Sequence, residues 1–456
     1  MSTQTACQLW RSDQIEYDLG MMTINRALRV FAMFSLCALL IPASGCSGVQ
    51  FHAIDASFEH QTPPQRDYTI GTIEDLWAIV EVTINGQGPF RMLLDTGADS
   101  SLLSTKVAAQ LDLEELGTAR LRDIHGKTEP HVVYWADEVR LGPVHLNGAP
   151  LITTDSLDWF FERYQLDGLL GYYGINLYTL DLDYPNGVVR ISEQPLNPDD
   201  PDVVEIVGMR GATVMVRLEH TPASGEASLS GVYGVDSGGK FVLSVPEKHA
   251  KHLAQRATLR NMGKSFGLNG TSMDNRVVPL HGEIQLGPHR VTGAQVELDN
   301  AHRLVGHEFL QCFRVQIDPL FKRMRFSLPE PGNDPVRVPP MYGVGIMDYF
   351  RVDDELIVSR VADQSPAMLA GLRPNDRIIE VNGEPSTSQR SYRWLTWSWE
   401  KSKPVRMIVK RRDEHIEMQM GMDPLFPDDL AKRGPDLKLP GIHVRKLPDG
   451  TYEMYE

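Results

Sequence analysis

From Trp77 onward, apolar residues come in short alternating or continuous runs separated by Gly, Asn and Pro: "WAIVEVTING", "RMLLDTG", "VVYWADEVRLG", "GVVRIS". This pattern predicts strands rather than helices. A proline and aspartate cluster, "QPLNPDDPD" (residues 194–202), interrupts it. Its charges predict a solvated linker; the spacing is not that of a calcium-binding EF-hand loop. The strand pattern then resumes to about residue 330, and a further β-rich stretch occupies 338–421. The tail from Asp423 is rich in proline and charge, and its alternation about Pro448-Asp449-Gly450 predicts a small hairpin. Ahead of Trp77, residues 47–70 are polar and contain "EHQTPPQRDYT", which reads as a tether.

The stretch "FRMLLDTGADSSLLS" (residues 90–104) aims an apolar strand at an aspartate and then turns sharply. It is echoed by "GVYGVDSGGKFVLS" (residues 231–244), which places Asp236 141 positions after Asp95. Other landmarks recur in the same order. Gly126 pairs with Gly270 and Gly142 with Gly287, at offsets of 144 and 145, and Gly171 pairs with Gly306 at an offset of 135. Four matched landmarks predict two diverged copies of one β-rich unit, residues 71–195 and 196–330, each donating one Asp-Thr/Ser-Gly.

A pair of carboxylates around one water can share a proton, because like charges at that separation cannot both ionise. One then serves as general base and the other as general acid. Asp95 and Asp236 are the candidates. Other chemistries find no support. "GHEFLQC" has His-Glu without the second histidine that zinc would need, and phosphate-loop and nucleophile-elbow motifs are missing. The remaining histidines, such as His145 and His281, are scattered along the chain. No metal or other cofactor is expected. A formal net charge of -15 argues against nucleic acid as a partner.

The repeat resembles the retropepsin-like aspartic peptidases, over residues 72–330. The resemblance implies a mainly β fold, with two retropepsin-like β-barrel lobes forming a pepsin-like bilobal peptidase. It implies catalysis by Asp95 and Asp236, with Thr96 and Ser237 bracing the two loops and Gly97 and Gly238 permitting their close backbone turns. Ala98 and Gly239 complete the loops, and Leu169-Leu170-Gly171 and Leu304-Val305-Gly306 are the apolar-apolar-Gly segments beneath them. The flap tips are expected near Gly126 and near Asn269-Gly270, whose Asn-Gly is itself a hairpin signal. The second copy departs from the pattern at Val235 and Gly239, and its loop to Ser244 is one residue shorter than the loop from Asp95 to Ser104.

"YGVGIMDYF" and "SPAMLAGLRPNDRIIEVNG" resemble a PDZ domain of the bacterial periplasmic type, covering 338–421 and β-rich with two helices. Gly343, Val344, Gly345 and Ile346 match its carboxylate-binding loop, and "YRWLTWSWE" falls where the family has its second helix. The implied partners are peptide or protein substrates and, through the PDZ domain, protein C-termini. The alternative is a non-catalytic peptide-binding lipoprotein that uses the peptidase fold as a clamp.

The N-terminal stretch from Met21 has two arginines, an apolar run over residues 30–41, then small residues. This is the layout of a secretory signal, too short to span a bilayer stably. Its end, Ala43-Ser44-Gly45-Cys46, resembles a bacterial lipobox, which implies lipidation of Cys46 and export to the periplasmic face of a membrane, in the outer-membrane class because Ser47 follows. The acidic residues among positions 1–20 suggest that translation starts at Met21 or Met22. The other cysteines are Cys7, Cys37 and Cys312, so Cys312 is left without an intrachain partner and is expected to be an inert core thiol.

Overall fold

The computed structural model describes residues 55–59, 67–74, 77–223, 227–254, 260–298, 301–330, 332, 335–340, 342–343, 346–352, 355–361, 365–387, 404–421, 423–424, 443–446 and 452–455. The fold is mainly β. Lobe 1 contains β1 (Asp55–Phe58), β2 (Tyr68–Glu74), β3 (Trp77–Ile84), β4 (Gln87–Asp95), β5 (Ser101–Leu103), β6 (Glu114–Arg122), β7 (Thr128–Leu141), β8 (Val144–Thr153), β9 (Gly168–Gly171), β10 (Thr179–Asp183) and β11 (Val188–Ser192). Lobe 2 contains β12 (Val203–Glu205), β13 (Gly208–Arg210), β14 (Thr213–Pro222), β15 (Gly231–Asp236), β16 (Leu243–Ser244), β17 (Arg260–Phe266), β18 (Ser272–Pro279), β19 (Gly282–Leu286), β20 (His289–Thr292), β21 (Gln295–Glu297), β22 (Leu304–Gly306), β23 (Arg314–Asp318), β24 (Arg323–Ser327) and β25 (Val336–Arg337).

The two lobes share one sheet. Its strands run β12-β24-β23-β10-β11-β2, three from each lobe, and continue into lobe 1. At the junction β10 pairs antiparallel with β23, with Leu180 opposite Ile317 and Leu182 opposite Val315. The offset of 135 that relates Gly171 to Gly306 also carries Leu180 onto Val315 and Leu182 onto Ile317. The pairing therefore maps onto itself when the lobes are exchanged, as an approximate twofold axis requires. Both strands end alike: Asp183 and Asp318 cap the short turns Tyr184–Asn186 and Pro319–Phe321. The junction is bonded by side chains too, since Arg314 of lobe 2 pairs with Asp181 of lobe 1. Apolar residues of both lobes form one buried core, among them Leu180, Leu182, Val315 and Ile317.

The PDZ region has its own sheet, β27 (Ile346–Val352), β28 (Glu355–Val361), β29 (Arg377–Val381), β31 (Val405–Arg411) and β32 (Glu414–Met420) in that order, with β30 (Glu384–Pro385) beside β29. Leu356, Ile378, Met407 and Val409 lie in its separate core. The helix Pro366–Leu369 starts at Ser365, whose hydroxyl accepts from the Met368 N–H. The segment expected to hold the second helix lies outside the described residues. β26 (Tyr342–Gly343) pairs with β33 (Asp423–Pro424), and the expected tail hairpin is present as β34 (His443–Lys446) against β35 (Tyr452–Tyr455).

Three expectations need correction. Part of the tether at 47–70 is structured, because β1 pairs with β8 and Phe58 packs on Tyr68 and Tyr178. The acid run 194–202 is more than a solvated linker. Asp200 pairs with Arg325 and Asp202 faces His289, while Leu196 is buried and its N–H is held by Asp318. Third, the expected end of lobe 2 at residue 330 is too early: Val336 and Val338 are buried in the core shared by the lobes, and the Val338 N–H donates to Thr292 O. Cys312 is buried and its thiol is pushed up to about 12, in keeping with an inert core position.

Candidate active site

Two apolar strands deliver the two aspartates. β4 lies parallel to β9 with Asp95 opposite Gly171, and β15 lies parallel to β22 with Asp236 opposite Gly306. The glycines beneath are required by contact. A Cβ on Gly171 would fall 2.7 Å from the backbone of Ser100, and one on Gly306 2.2 Å from Phe241 O. Each loop folds onto its own aspartate, with the Gly97 N–H donating to Asp95 Oδ1 at 2.7 Å and the Gly238 N–H to Asp236 Oδ1 at 3.0 Å.

The loops are then braced crosswise. Thr96 Oγ1 donates to Val235 O (2.9 Å) and accepts from the Ser237 N–H (3.0 Å). Ser237 Oγ donates to Leu94 O (2.8 Å) and accepts from the Thr96 N–H (3.1 Å). Thr96 and Ser237 are both wholly buried. Gly97 and Gly238 prove necessary for a different reason from the expected turn, since neither has positive φ. A Cβ on Gly97 would lie 2.6 Å from Asp236 Cγ, and one on Gly238 2.5 Å from Asp95 Cγ. Each glycine is the seat of the opposite carboxyl group. Gly239 has a local cause: in the shorter second loop a Cβ there would meet the Phe241 ring at 2.4 Å, whereas lobe 1 accommodates Ala98.

Asp95 and Asp236 lie close enough for each carboxyl group to act on the other. Burial raises both carboxyl groups above their usual range. The Gly97 N–H and the neighbouring Asp236 carboxyl hold Asp95 back, while the Asp95 charge adds to burial in driving Asp236 well upward. A single proton shared by the pair follows, because two such carboxyl groups cannot both be ionised at close range. Behind the lobe 2 loop sit two further buried groups. Burial, chiefly, depresses His307 to about 3 and raises Glu308 to about 7. Among the described residues, neither ring nitrogen of His307 nor Oε1 of Glu308 has a hydrogen-bond partner.

β6 and β7 form one flap and β17 and β18 the other. Gly126 and Gly270 lie in the tip turns with φ of 90° and 67°. The sequence located these turns but gave no sign that the tips interlock. Asn269 Nδ2 donates to Leu121 O (3.1 Å) and Lys127 O (2.6 Å), and Asn269 Oδ1 bonds His131 Nε2 at 2.6 Å. Thr271 Oγ1 donates to Asp123 Oδ2, and His125 bridges Thr271 and Ser265. Gly267 leaves room for Asp123, whose carboxylate would stand 2.5 Å from a Cβ there. Another unforeseen contact joins the lobes at the loops, from Thr213 Oγ1 to Gly97 O at 3.1 Å.

In the PDZ region, Gly343 ends β26 and Ile346 begins β27; Val344 and Gly345 lie outside the described residues, as does Cys46.

Residues 80–173 match the sequence profile of the aspartyl protease family, and residues 357–392 match that of the PDZ domain. The chain thus carries a β-rich aspartyl-protease fold followed by a PDZ domain. The protease match covers β4, its loop and the first flap but stops short of lobe 2, whose kinship rests on the internal repeat and the shared geometry. No curated protein matches the chain.

Proposed function

We propose that the chain is an aspartic endopeptidase in which Asp95 and Asp236 activate one water for attack on a peptide carbonyl. The observation that carries this reading is the reciprocal packing of Gly97 on Asp236 and of Gly238 on Asp95, locked by Thr96 and Ser237. Ionised Asp95 accepts a proton from the water while Asp236 donates its own to the carbonyl oxygen. On collapse of the tetrahedral intermediate the amine leaves with the proton held by Asp95, a hydroxyl of the intermediate returns its proton to Asp236, and the pair is back in its starting state.

The test is a digest of a diverse peptide mixture read by mass spectrometry, wild type against Asp95→Asn and Asp236→Asn. New termini should come from the wild type alone, and the double variant should be scarcely worse than either single one, because the pair acts as a unit. Specific activity should hold on dilution, since both carboxylates belong to one chain. Binding of peptides without turnover by the wild type would replace this reading with that of a clamp.

The PDZ domain is proposed to bind peptide C-termini by strand addition, with the loop from Gly343 to Ile346 receiving the carboxylate. A C-terminal amide should bind markedly more weakly than the free acid; equal binding would remove this role. Cys46 is proposed as a lipid anchor on the periplasmic face of the membrane. Cys46→Ser should leave the protein in the soluble fraction, and sedimentation with membranes would count against the anchor.

A further inference from the structure

We propose that Arg210 of lobe 2 and Arg122 of the lobe 1 flap form a cationic subsite beside His302 that receives an acidic side chain of the peptide substrate. The inference rests on the endopeptidase reading and adds the charge of one substrate residue to it.

The starting point is how the two lobes differ at equivalent positions. β3 pairs with β4 with Ile79 opposite Leu93, and β14 pairs with β15 with Met215 opposite Gly234. Leu93 and Gly234 each stand two residues before an aspartate. Registered this way, Thr213 takes the place of Trp77, Gly234 that of Leu93, and His302 that of Asp167. In lobe 1 the space is filled: Trp77, Leu93, Leu169 and Phe161 share an apolar cluster. Its charged neighbours are also neutralised, since Glu74 is held by the Arg91 guanidinium and Asp167 by the Arg91 N–H. In lobe 2 the same region is thinned to Thr213 and a glycine.

Arg210 enters that space. It pairs with Thr213 as Glu74 pairs with Trp77, so the charge at this position is inverted between lobes. Its Nη2 lies 3.5 Å from where a Cβ on Gly234 would be, two residues along the strand from Asp236. The nearby Asp99 carboxylate is engaged by the Ala212 N–H. The loop bearing His302 is tied to the lobe 1 flap, because the Ala301 N–H donates to Ile124 O at 3.1 Å. On that flap, Arg122 folds back over the tip, its Nη2 3.1 Å from a Cβ position on Gly126. Burial first, and then the positive charges of Arg210, Arg122 and Lys248, depress the half-buried His302 imidazole. Among the described residues, none of these three cations makes an ion pair. The Asp99 and Asp236 charges act on Arg210, but neither closes an ion pair with it. In a chain of net charge -15, cations without ion pairs beside a dyad are matched by a carboxylate on the substrate.

The experiment uses the full chain and peptide pairs that differ by one Glu or Gln, scanned through each position flanking a scissile bond found in the digest. Should no bond be cut, the same scan is applied to any peptide that the chain retains. Binding is measured with Asp95→Asn at low and high salt, and kcat/KM with the wild type. At one position the Glu peptide should bind about tenfold more tightly than its Gln partner, a ratio that shrinks with salt. Arg210→Gln should abolish the discrimination, with folding checked by a thermal melt; Arg122→Gln is the second variant should the first not fold. Equal binding of Glu and Gln peptides at every position overturns the subsite, and so does discrimination that survives both substitutions. If the wild type cuts nothing while Asp95→Asn still prefers the acidic peptide, the peptidase reading falls and the subsite stands.

Discussion

The Thr96 hydroxyl donates to the backbone of lobe 2 at Val235 O, and the Ser237 hydroxyl donates to the backbone of lobe 1 at Leu94 O. Each also accepts the other residue's backbone N–H, so the two loops are held by four buried bonds across the approximate twofold axis.

Ser237→Ala should therefore cost stability and activity together. It strands the Thr96 N–H and Leu94 O in the interior, at about 1–3 kcal/mol for each orphaned group. Denaturant titration should show the loss, and peptide turnover should fall because the carboxyl groups lose their seats. Thr96→Ser keeps the hydroxyl and should lose little of either. Ser237→Ala with wild-type stability would refute the brace.

The flap lock is testable by hydrogen exchange. Asn269→Ala removes the donors to Leu121 O and Lys127 O and the partner of His131. Amides of both tips, residues 123–127 and 267–271, should exchange faster by about tenfold or more, the value of one or two lost bonds. If protection were unchanged, the closed roof would not depend on Asn269.

The buried pair His307 and Glu308 sets opposing pH slopes. The folded imidazole stays neutral to about 3 while the unfolded one, at its usual 6.5, takes up a proton, so stability from His307 is lost as pH falls from about 6.5 towards 3. The folded Glu308 keeps its proton to about 7, whereas the unfolded one ionises from 4.5, so its contribution is lost as pH rises across that window. Between about 4.5 and 6.5 the two cancel. Glu308→Gln should remove the falling slope and make stability rise with pH there, by about 1.4 kcal/mol per unit relative to wild type. Urea unfolding at pH 5 and pH 6.5 reads the difference; parallel behaviour of the two proteins would show that Glu308 titrates normally.

What the sequence disclosed depended on the distance over which each feature is encoded. The two Asp-Thr/Ser-Gly loops and the Asn-Gly flap turn are written in consecutive residues, and the repeat makes each copy a check on the other. The reason for Gly97 and Gly238 could not be read that way. A glycine needed for positive φ and a glycine needed to seat a carboxyl from the other lobe look alike in one dimension. Asp200 and Asp202 read as solvated because Arg325 and His289 lie far along the chain, and β1 is too short and too polar in its flanks to announce itself. The inversion from Glu74 to Arg210 became visible only once strand register fixed which residues correspond.

The seam between β10 and β23 bears on how such a chain can be divided. Each strand meets its partner in a register that exchange of the lobes leaves unchanged. A lobe released by cutting in the 194–202 segment would expose one of these strands as a bare edge, with its hydrogen-bonding groups unpaired. The same register lets β10 receive a second β10, Leu180 against Leu182. A fragment of lobe 1 would thus re-form the seam with a copy of itself and bring two Asp95 residues together. The single chain can be regarded as a homodimer whose halves have been tethered and then allowed to drift apart in charge.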